Sequence, residues 1–215
     1  MTPAGTGAGN PPDLRGAIGV FGGTFDPIHV AHLAVAEAAR DAVGLARVLF
    51  VPAGEPPHKR GRAISPAEHR LAMVRAAVAG NDGFSVSRME LDRRGPSYTV
   101  DTLRDLRAED PSADLALVLS AEAFLELPTW REPAAILGLA GLVVAPRDGY
   151  PDASPDFLER HFPGARARTV FLDGPRMRLS ASELRARATA GRSLRYLVPD
   201  AVAAYIGDHA LYQTT

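Results

Sequence analysis

A short run of glycine, aspartate and histidine near the N-terminus of the chain is the strongest candidate for chemistry. Gly22 and Gly23 follow the apolar segment 17–21, and an Asp-Pro pair precedes the helix-forming stretch 28–39. This order predicts a buried strand, a turn that a ligand can approach closely, and a helix with Asp26 near its N-cap. Because unpaired amides and the positive end of the helix dipole meet there, an anion is the ligand that such a helix start favours.

Two histidines, His29 and His32, fall in the first turns of this predicted helix. Residues three apart on a helix share a face, so both imidazoles are expected to reach a bound phosphate. A glycine turn or a histidine in a first turn is, taken alone, usually a structural feature. The hypothesis of a phosphate site depends on finding strand, glycines, Asp-Pro and both histidines in this order.

Three further segments carry groups that could bind anions. In the loop after the second predicted strand, Pro56 and Pro57 stiffen the chain beside His58 and Lys59, which makes Lys59 a candidate point charge for a phosphate. The alternative is a solvated basic loop. The segment 93–103 combines a Gly-Pro turn, hydroxyl groups and a helix start. The amides of its first turn could bind a second anion. The alternative is an ordinary capped helix.

The third segment, 179–185, predicts a helix start with Ser180 or Ser182 as the N-cap. Arg185 would then lie in the first turn, where the helix dipole disfavours a cation unless an anion is bound. The alternative is a surface arginine that only solvates the helix. Trp130, the single tryptophan, could stack on an aromatic heterocycle or pack in the core.

The elements that must position these residues alternate along the chain. Apolar runs predict strands, and segments with helical spacing and capping residues predict helices between them. The strands are expected at 17–21, 47–52, 84–87 with a continuation at 89–91, 115–119, 142–145 and 169–172. The helices are expected at 28–43, from 65 to 78, at 97–106, 182–190 and 199–206. This alternation predicts an α/β fold with a doubly wound parallel sheet and ligands at the carboxyl ends of the strands.

Composition narrows the class of protein. A chain of 215 residues suits one α/β domain, which we expect at 16–215 after a disordered tail at 1–15. The net charge of -1 gives no argument for a nucleic-acid partner, and the absence of cysteine excludes disulfides, thiolate zinc sites and a cysteine nucleophile. No apolar run is long enough to span a membrane and no secretion signal is evident, so we expect a cytoplasmic location.

Taken together, the motifs resemble those of the bacterial nicotinate-nucleotide adenylyltransferases, in the same order, over about residues 18–206. The Pro-Pro-His-Lys and Gly-Pro-Ser-Tyr-Thr sequences separate this family from pantetheine-phosphate adenylyltransferases and small cytidylyltransferases of the same superfamily. The resemblance implies a Rossmann-like nucleotidyltransferase fold. It also implies transfer of AMP from ATP to nicotinate mononucleotide, giving deamido-NAD and pyrophosphate in NAD biosynthesis, with Mg²⁺ bound chiefly by phosphate oxygens and water.

The resemblance also implies roles for individual residues. The catalytic group is His29, His32, Lys59 and Arg185. The ATP-binding group is Gly22, Gly23, Thr24, Phe25, His29, His32, Ser120, Glu122, Ser180 and Arg185. The mononucleotide-binding group is Ser97, Tyr98, Thr99 and Trp130, with the tryptophan stacked on the pyridine ring. The resemblance gives no protein-built metal site.

One segment departs from the family pattern. Where the family usually has Gly-x-Asp after the fourth strand, this chain has Ser120, Ala121 and Glu122. The longer carboxylate and the added side chain make contacts to adenosine less secure than contacts to phosphate. Four alternatives stay open: use of nicotinamide mononucleotide, use of another phosphomonoester, a non-catalytic nucleotide-binding protein, and a nucleotide hydrolase. The sequence is compatible with a monomer or a homo-oligomer.

Overall fold

The computed structural model describes residues 13–56 and 64–213, which form a parallel sheet with helices on both faces. In chain order the strands are β1 (Ile18–Gly23), β2 (Arg47–Pro52), β3 (Phe84–Val86), β4 (Leu115–Ser120), β5 (Gly141–Ala145) and β6 (Thr169–Phe171). They lie side by side in the order β3-β2-β1-β4-β5-β6, and every neighbouring pair is parallel. The predicted doubly wound parallel sheet is therefore confirmed.

Helices connect the strands and cover both faces of the sheet. They are α1 (Val30–Val43), α2 (Ala67–Val78), α3 (Met89–Asp92), α4 (Thr99–Glu109), α5 (Ala121–Glu126), α6 (Pro133–Leu139), α7 (Pro155–His161), α8 (Ala181–Thr189) and α9 (Asp200–Asp208). The prediction of a strand continuation at 89–91 is wrong, because this segment forms the one-turn helix α3. The short helices α5, α6 and α7 were not predicted from the sequence.

Alternation along the strands divides the core into two layers. Phe21, Phe50 and Val143 point to one face, where α1, α2, α8 and α9 pack. Their neighbours Val20 and Leu49 point to the other face, where α4, α5, α6 and α7 pack. Since both faces are covered, the strands read as continuous apolar runs rather than as alternating patterns.

The order of the strands reverses at the centre of the sheet. β1 pairs with β2 along its whole length, but its pairing with β4 runs only from Ile18 opposite Leu115 to Val20 opposite Leu117. The carboxyl halves of β1 and β4 are therefore not paired with each other. In open α/β sheets, ligands bind in the crevice at this kind of reversal.

The N-terminal boundary of the fold lies earlier than expected. Leu14, inside the tail predicted for residues 1–15, is buried in the core beside Gly141. Residues 1–12 lie outside the described part of the chain, and the division into tail and domain stays a prediction there. Within the described residues, no helix is both long and apolar enough to cross a membrane.

Candidate active site

The turn after β1 leaves space at one glycine and fills it at the next. A side chain placed on Gly22 would meet no atom within 4 Å, whereas one on Gly23 would come within 2.8 Å of the ring of Phe25. Phe25 has a positive φ of 49° and is buried against Phe21 and Phe50. The Phe25 ring is thus part of the core, and any contact of Phe25 with ATP must come from its backbone.

The helix after this turn begins later than predicted. α1 starts at Val30, so His29 is its N-cap, and Asp26 and Pro27 lie in the preceding turn rather than at the cap and in the first turn. His29 also donates its backbone N–H to Nδ1 of His32, over 3.2 Å. The two imidazoles stack with ring centroids 3.7 Å apart. The two imidazoles lie together, as predicted. His29 is, however, the N-cap of α1, and only His32 lies in its first turn.

His29 is a neutral group at physiological pH. Burial, and after it the positive charge of Arg147, lower the pKa of His29 from 6.5 to about 4. Its Nδ1 is buried and has no hydrogen-bond partner within residues 13–56 and 64–213. At neutral pH this imidazole can therefore exchange hydrogen bonds with a ligand but brings no charge to it.

The amides at the start of α1 are less open to an anion than predicted. The N–H of Val30 donates to the carbonyl of Leu197 over 3.1 Å, and the N–H of His32 donates to the carbonyl of His29 over 2.9 Å. The loop that carries Leu197 therefore covers part of this helix start. Side chains around the turn, more than the amides of Val30 and His32, are left to contact a phosphate.

Arg185 reaches the same turn from α8. Ser180 caps α8 by accepting from the N–H of Glu183 over 3.2 Å, which makes Arg185 the fifth helical residue rather than one of the first turn. The Arg185 guanidinium donates to the carbonyl of Asp26 over 2.7 Å and lies 3.9 Å from its carboxylate. The anion that the sequence argument required near Arg185 is thus partly supplied by Asp26 of the chain itself.

Across the crevice, the residues that depart from the family pattern have partners of their own. Ser120 caps α5 by accepting from the N–H of Ala123 over 3.4 Å. Glu122 forms an ion pair with Arg147 and accepts a hydrogen bond from the Tyr150 hydroxyl, which raises the pKa of Tyr150. In this structure, the Glu122 carboxylate is therefore engaged with the loop after β5.

Arg147 is a residue that sequence reasoning missed. It follows β5 by two residues at the carboxyl edge of the sheet, and its charge acts on His29. The available signal was its position directly beyond an apolar strand, at the edge where ligands bind in this fold class.

The predicted mononucleotide residues fall into two sets. Ser97 is buried, and its hydroxyl accepts from the N–H of Gly54 over 3.0 Å, so its side chain joins two loops rather than facing a ligand. Tyr98 is the N-cap of α4 and lies under the guanidinium of Arg131, 4.8 Å from its ring centroid. Thr99 is the first residue of α4.

Trp130 belongs to the same apolar cluster as Tyr98 and is only partly buried. Its Nε1 is buried and has no hydrogen-bond partner in the described part of the chain. Its place at the edge of the core is compatible with both hypotheses for Trp130, stacking on a ligand ring and packing in the core.

The predicted phosphate residue Lys59, together with His58, lies outside the described residues.

Two more residues at this edge were missed by the sequence analysis. Arg70 is 2% exposed and donates to the carbonyls of Thr24, Gly54 and Ser65. Tyr212 donates its hydroxyl to the carboxylate of Asp26. No sequence motif marks either residue, because Arg70 binds backbone carbonyls and Tyr212 binds a residue that is distant in sequence.

Comparison with known proteins places the chain in a family. The cytidylyltransferase-like family matches residues 20–187. The chain is 50% identical over 196 residues to a probable nicotinate-nucleotide adenylyltransferase of Roseiflexus sp. (strain RS-1), covering 91% of this chain and 98% of that protein. It is 46% identical over 197 residues to a protein of the same name from Thermomicrobium roseum, covering 92% of each.

Solved structures share the fold of this chain. The solved structure of nicotinic acid mononucleotide adenylyltransferase from Plasmodium falciparum, complexed with APC, aligns with a TM-score of 0.75 over 91% of this chain and 96% of that one. At 17% identity this likeness concerns the fold alone. Because the family match covers most of the chain and both relatives align over nearly its full length, the chain belongs to the cytidylyltransferase-like family, in the group whose curated members are named nicotinate-nucleotide adenylyltransferases.

Proposed function

We propose that the protein transfers AMP from ATP to nicotinate mononucleotide, giving deamido-NAD and pyrophosphate. The observation that carries the proposal is the convergence of His29, His32 and Arg185 on one turn beside the crevice between β1 and β4. This is the position where the family resemblance expects the triphosphate. The near full-length match to relatives that carry this name supports the choice of substrates.

The reaction suits a site of donors and cations without a general base. A phosphate monoester has a second pKa of about 6, so the mononucleotide phosphate is already ionised near neutrality. One of its oxygens attacks the α-phosphorus of ATP, and the bond from that phosphorus to the bridging oxygen of the β-phosphate breaks. The electron pair leaves on pyrophosphate. The site needs to align the two anions and stabilise the charge that develops in line.

The described residues divide this work. His32 and the neutral His29 would donate hydrogen bonds to the ATP phosphates, with Gly22 leaving room for the nucleotide beside the turn. Arg185, held against Asp26, would face the phosphates that depart. We propose that Lys59 adds a further charge in the phosphate region.

The adenosine side would use the edge formed by β4. The backbone of Thr24 and Phe25 flanks the crevice from β1, and Ser120 and Glu122 flank it from β4. Because Arg147 and Tyr150 hold Glu122, a nucleotide hydrogen-bonded to this carboxylate would have to share it with them or displace them.

The mononucleotide would bind toward α4. Thr99 and the backbone at the start of this helix would hold the pyridine carboxylate, and Trp130 would stack on the ring. Ser97 would act only by joining the loop at Gly54 to the start of α4.

Mg²⁺ would enter with ATP. Within residues 13–56 and 64–213, no three histidine, aspartate or glutamate side chains are grouped closely enough to hold a metal ion. We propose that the ion is bound mainly by phosphate oxygens and water, as Mg²⁺ commonly is. When bound, the ion would neutralise phosphate charge. We also propose that the protein acts in the cytoplasm.

Product analysis tests the function directly. The purified protein is incubated with ATP and Mg²⁺, with and without nicotinate mononucleotide, and deamido-NAD and pyrophosphate are quantified by chromatography. The proposal expects equal amounts of both products, and only when the mononucleotide is present. Pyrophosphate or phosphate released from ATP alone would indicate a hydrolase, and ATP binding without any product would indicate a non-catalytic binder.

A further inference from the structure

The carboxylate of Asp26 is buried within the turn after β1 that leads to His29 and His32. Asp26 is 3% exposed, and each of its carboxylate oxygens has one donor. The hydroxyl of Tyr212 donates to Oδ1 over 2.7 Å, and the backbone N–H of Ser65 donates to Oδ2 over 3.1 Å. The backbone carbonyl of Asp26 accepts from Arg185. Three parts of the chain that are distant in sequence therefore meet at this one residue.

Tyr212 comes from the segment after the last helix. It has a positive φ of 64°, and its carbonyl accepts a hydrogen bond from the hydroxyl of Thr189 on α8 over 2.6 Å. Its own hydroxyl also lies 3.9 Å from the sulfur of Met73 on α2. The ring is thus held between α8 and α2 with its hydroxyl directed at Asp26.

Arg70 holds the other side of the same assembly. Its buried guanidinium donates to Thr24 over 3.0 Å, to Ser65 over 3.1 Å and to Gly54 over 3.2 Å. All three acceptors are backbone carbonyls of the loops at the carboxyl edge. Ser65 therefore receives Arg70 at its carbonyl while its N–H binds Asp26, so both contacts fix the loop before α2 against the turn after β1.

We propose that Tyr212 is a positioning residue for the nucleotide: through Asp26 it fixes the turn from Thr24 to His29 and keeps Arg185 against it. This inference rests on the ATP-binding half of the proposed function. Tyr212 itself touches no phosphate. Its hydroxyl acts on the ligand only through a carboxylate that has no other side-chain donor within hydrogen-bond distance in the described residues.

A buried carboxylate requires hydrogen-bond donors to offset the loss of water. Removing one donor from a buried charged acceptor leaves that charge unsatisfied, and the structure relaxes where it can. Arg70 holds Thr24 and Ser65 in place from one side. We therefore expect Asp26 to move instead, and its movement to weaken the hydrogen bond from Arg185 to the Asp26 carbonyl. Burial and the neighbouring Asp26 raise the pKa of Tyr212, so its hydroxyl stays a donor across the physiological range.

Tyr212→Phe tests the inference, because it removes one oxygen and keeps the ring. Tyr205→Phe is the matched control: it removes the same atom from α9, where the hydroxyl contacts His69 instead of Asp26. Binding of the α,β-methylene analogue of ATP is measured by calorimetry, kinetics are measured with both substrates, and melting temperatures are recorded for each variant.

For Tyr212→Phe we expect the dissociation constant of the analogue and the KM for ATP to rise about tenfold, as for the loss of a hydrogen bond to a charged group. The KM for the mononucleotide should stay within about twofold, and Tyr205→Phe should leave every kinetic constant within about twofold. Equal behaviour of the two variants, or a loss in melting temperature with unchanged ATP affinity, would overturn the inference.

A second variant tests the route through Asp26. Asp26→Ala removes the acceptor of the Tyr212 hydroxyl and should reproduce the ATP-specific loss, and adding Tyr212→Phe to it should change ATP affinity by less than about twofold. A further tenfold loss in the double variant would show that Tyr212 acts elsewhere. Because analogue binding needs no turnover, a wild-type protein that makes no deamido-NAD would contradict the proposed function and leave this result standing.

Discussion

The imidazole of His29 lies stacked on that of His32, with the ring centroids 3.7 Å apart and the planes inclined by 23°. His29 is 4% exposed, whereas His32 is partly accessible. The backbone N–H of His29 donates to His32 as well, so each residue orients the other. The pair therefore reaches a ligand mainly through His32, with His29 as its neutral, buried support.

His32→Ala should lower kcat strongly, because the lost imidazole donor faces the reacting phosphates. Removal of one donor of this kind typically costs about 10²–10³ in kcat. Stability should fall by only about 1 kcal/mol, since one acceptor at the helix N-terminus is lost. Steady-state kinetics and thermal melts check both values. His161→Ala, on α7, is the control, and near wild-type turnover in His32→Ala would remove His32 from the mechanism.

The depressed pKa of His29 predicts a pH dependence of stability. The unfolded chain binds a proton at His29 near pH 6.5, but the folded protein does so only near pH 4. Between these values the unfolded state binds more protons, so the free energy of unfolding falls as the pH falls from about 6.5 to 4. The loss should approach about 3 kcal/mol in total.

Urea unfolding of the wild type and of His29→Asn at a series of pH values measures this contribution. Titration of other groups is common to both proteins and cancels in the difference. Between pH 7 and pH 4, we expect the free energy of unfolding of the wild type to fall by about 3 kcal/mol more than that of the variant. Parallel curves for the two proteins would show that His29 does not titrate with a lowered pKa.

Arg185→Ala should weaken ATP binding more than it weakens the fold. The guanidinium is partly exposed and its main contact is one carbonyl, so a loss of about 1 kcal/mol in stability is expected. Arg187→Ala, whose side chain bonds the carbonyl of Ser193 away from the turn, is the matched control. Calorimetric titration with an ATP analogue separates the two variants. A loss of several kcal/mol in the free energy of unfolding of Arg185→Ala would identify Arg185 as a structural residue.

The protein should prefer the acid form of the mononucleotide to the amide form. A pyridine carboxylate at the start of α4 would accept charge-assisted hydrogen bonds of about 1.5–3 kcal/mol each, reduced by the cost of desolvating the anion. We therefore expect kcat/KM for nicotinate mononucleotide to exceed that for nicotinamide mononucleotide by about ten- to a thousand-fold. Paired assays with both mononucleotides measure the ratio, and equal efficiencies would contradict acid specificity.

Trp130→Ala extends this test. Stacking does not distinguish a carboxylate from an amide, so the variant should lose efficiency with both mononucleotides and keep their ratio. A change in the ratio would show that Trp130 reads the ring substituent. Unchanged efficiency with both would leave it a packing residue of its apolar cluster.

The main elements of the fold were predictable because the parallel strands are buried on both faces and read as apolar runs. β4 and β5 are clear cases. The wrong strand prediction at 89–91 has a physical reason. Met89 and Leu91 alternate around Glu90, as in a strand, but Glu90 is the buried residue, and its carboxylate accepts a hydrogen bond from the Thr102 hydroxyl. A four-residue helix offers too few residues for its period to be recognised.

The candidate site was predictable where its residues are neighbours in sequence. His29 and His32 could be paired from spacing alone. Arg70, Arg147 and Tyr212 could not, because their contacts with the turn after β1 or with His29 depend on how distant segments pack. For the same reason, the sequence could place Arg185 near an anion but could not identify Asp26 as part of it.

The position of β1 between β2 and β4 has a consequence for how the chain reaches its native state. β2 follows β1 closely in sequence, but β4 comes from the opposite half of the chain. A large loop must close before β1 gains its second neighbour, and long-range parallel pairing of this kind slows folding. During synthesis, one edge of β1 therefore stays unpaired until β4 has emerged from the ribosome, which leaves this edge open to mispairing in an unfinished chain.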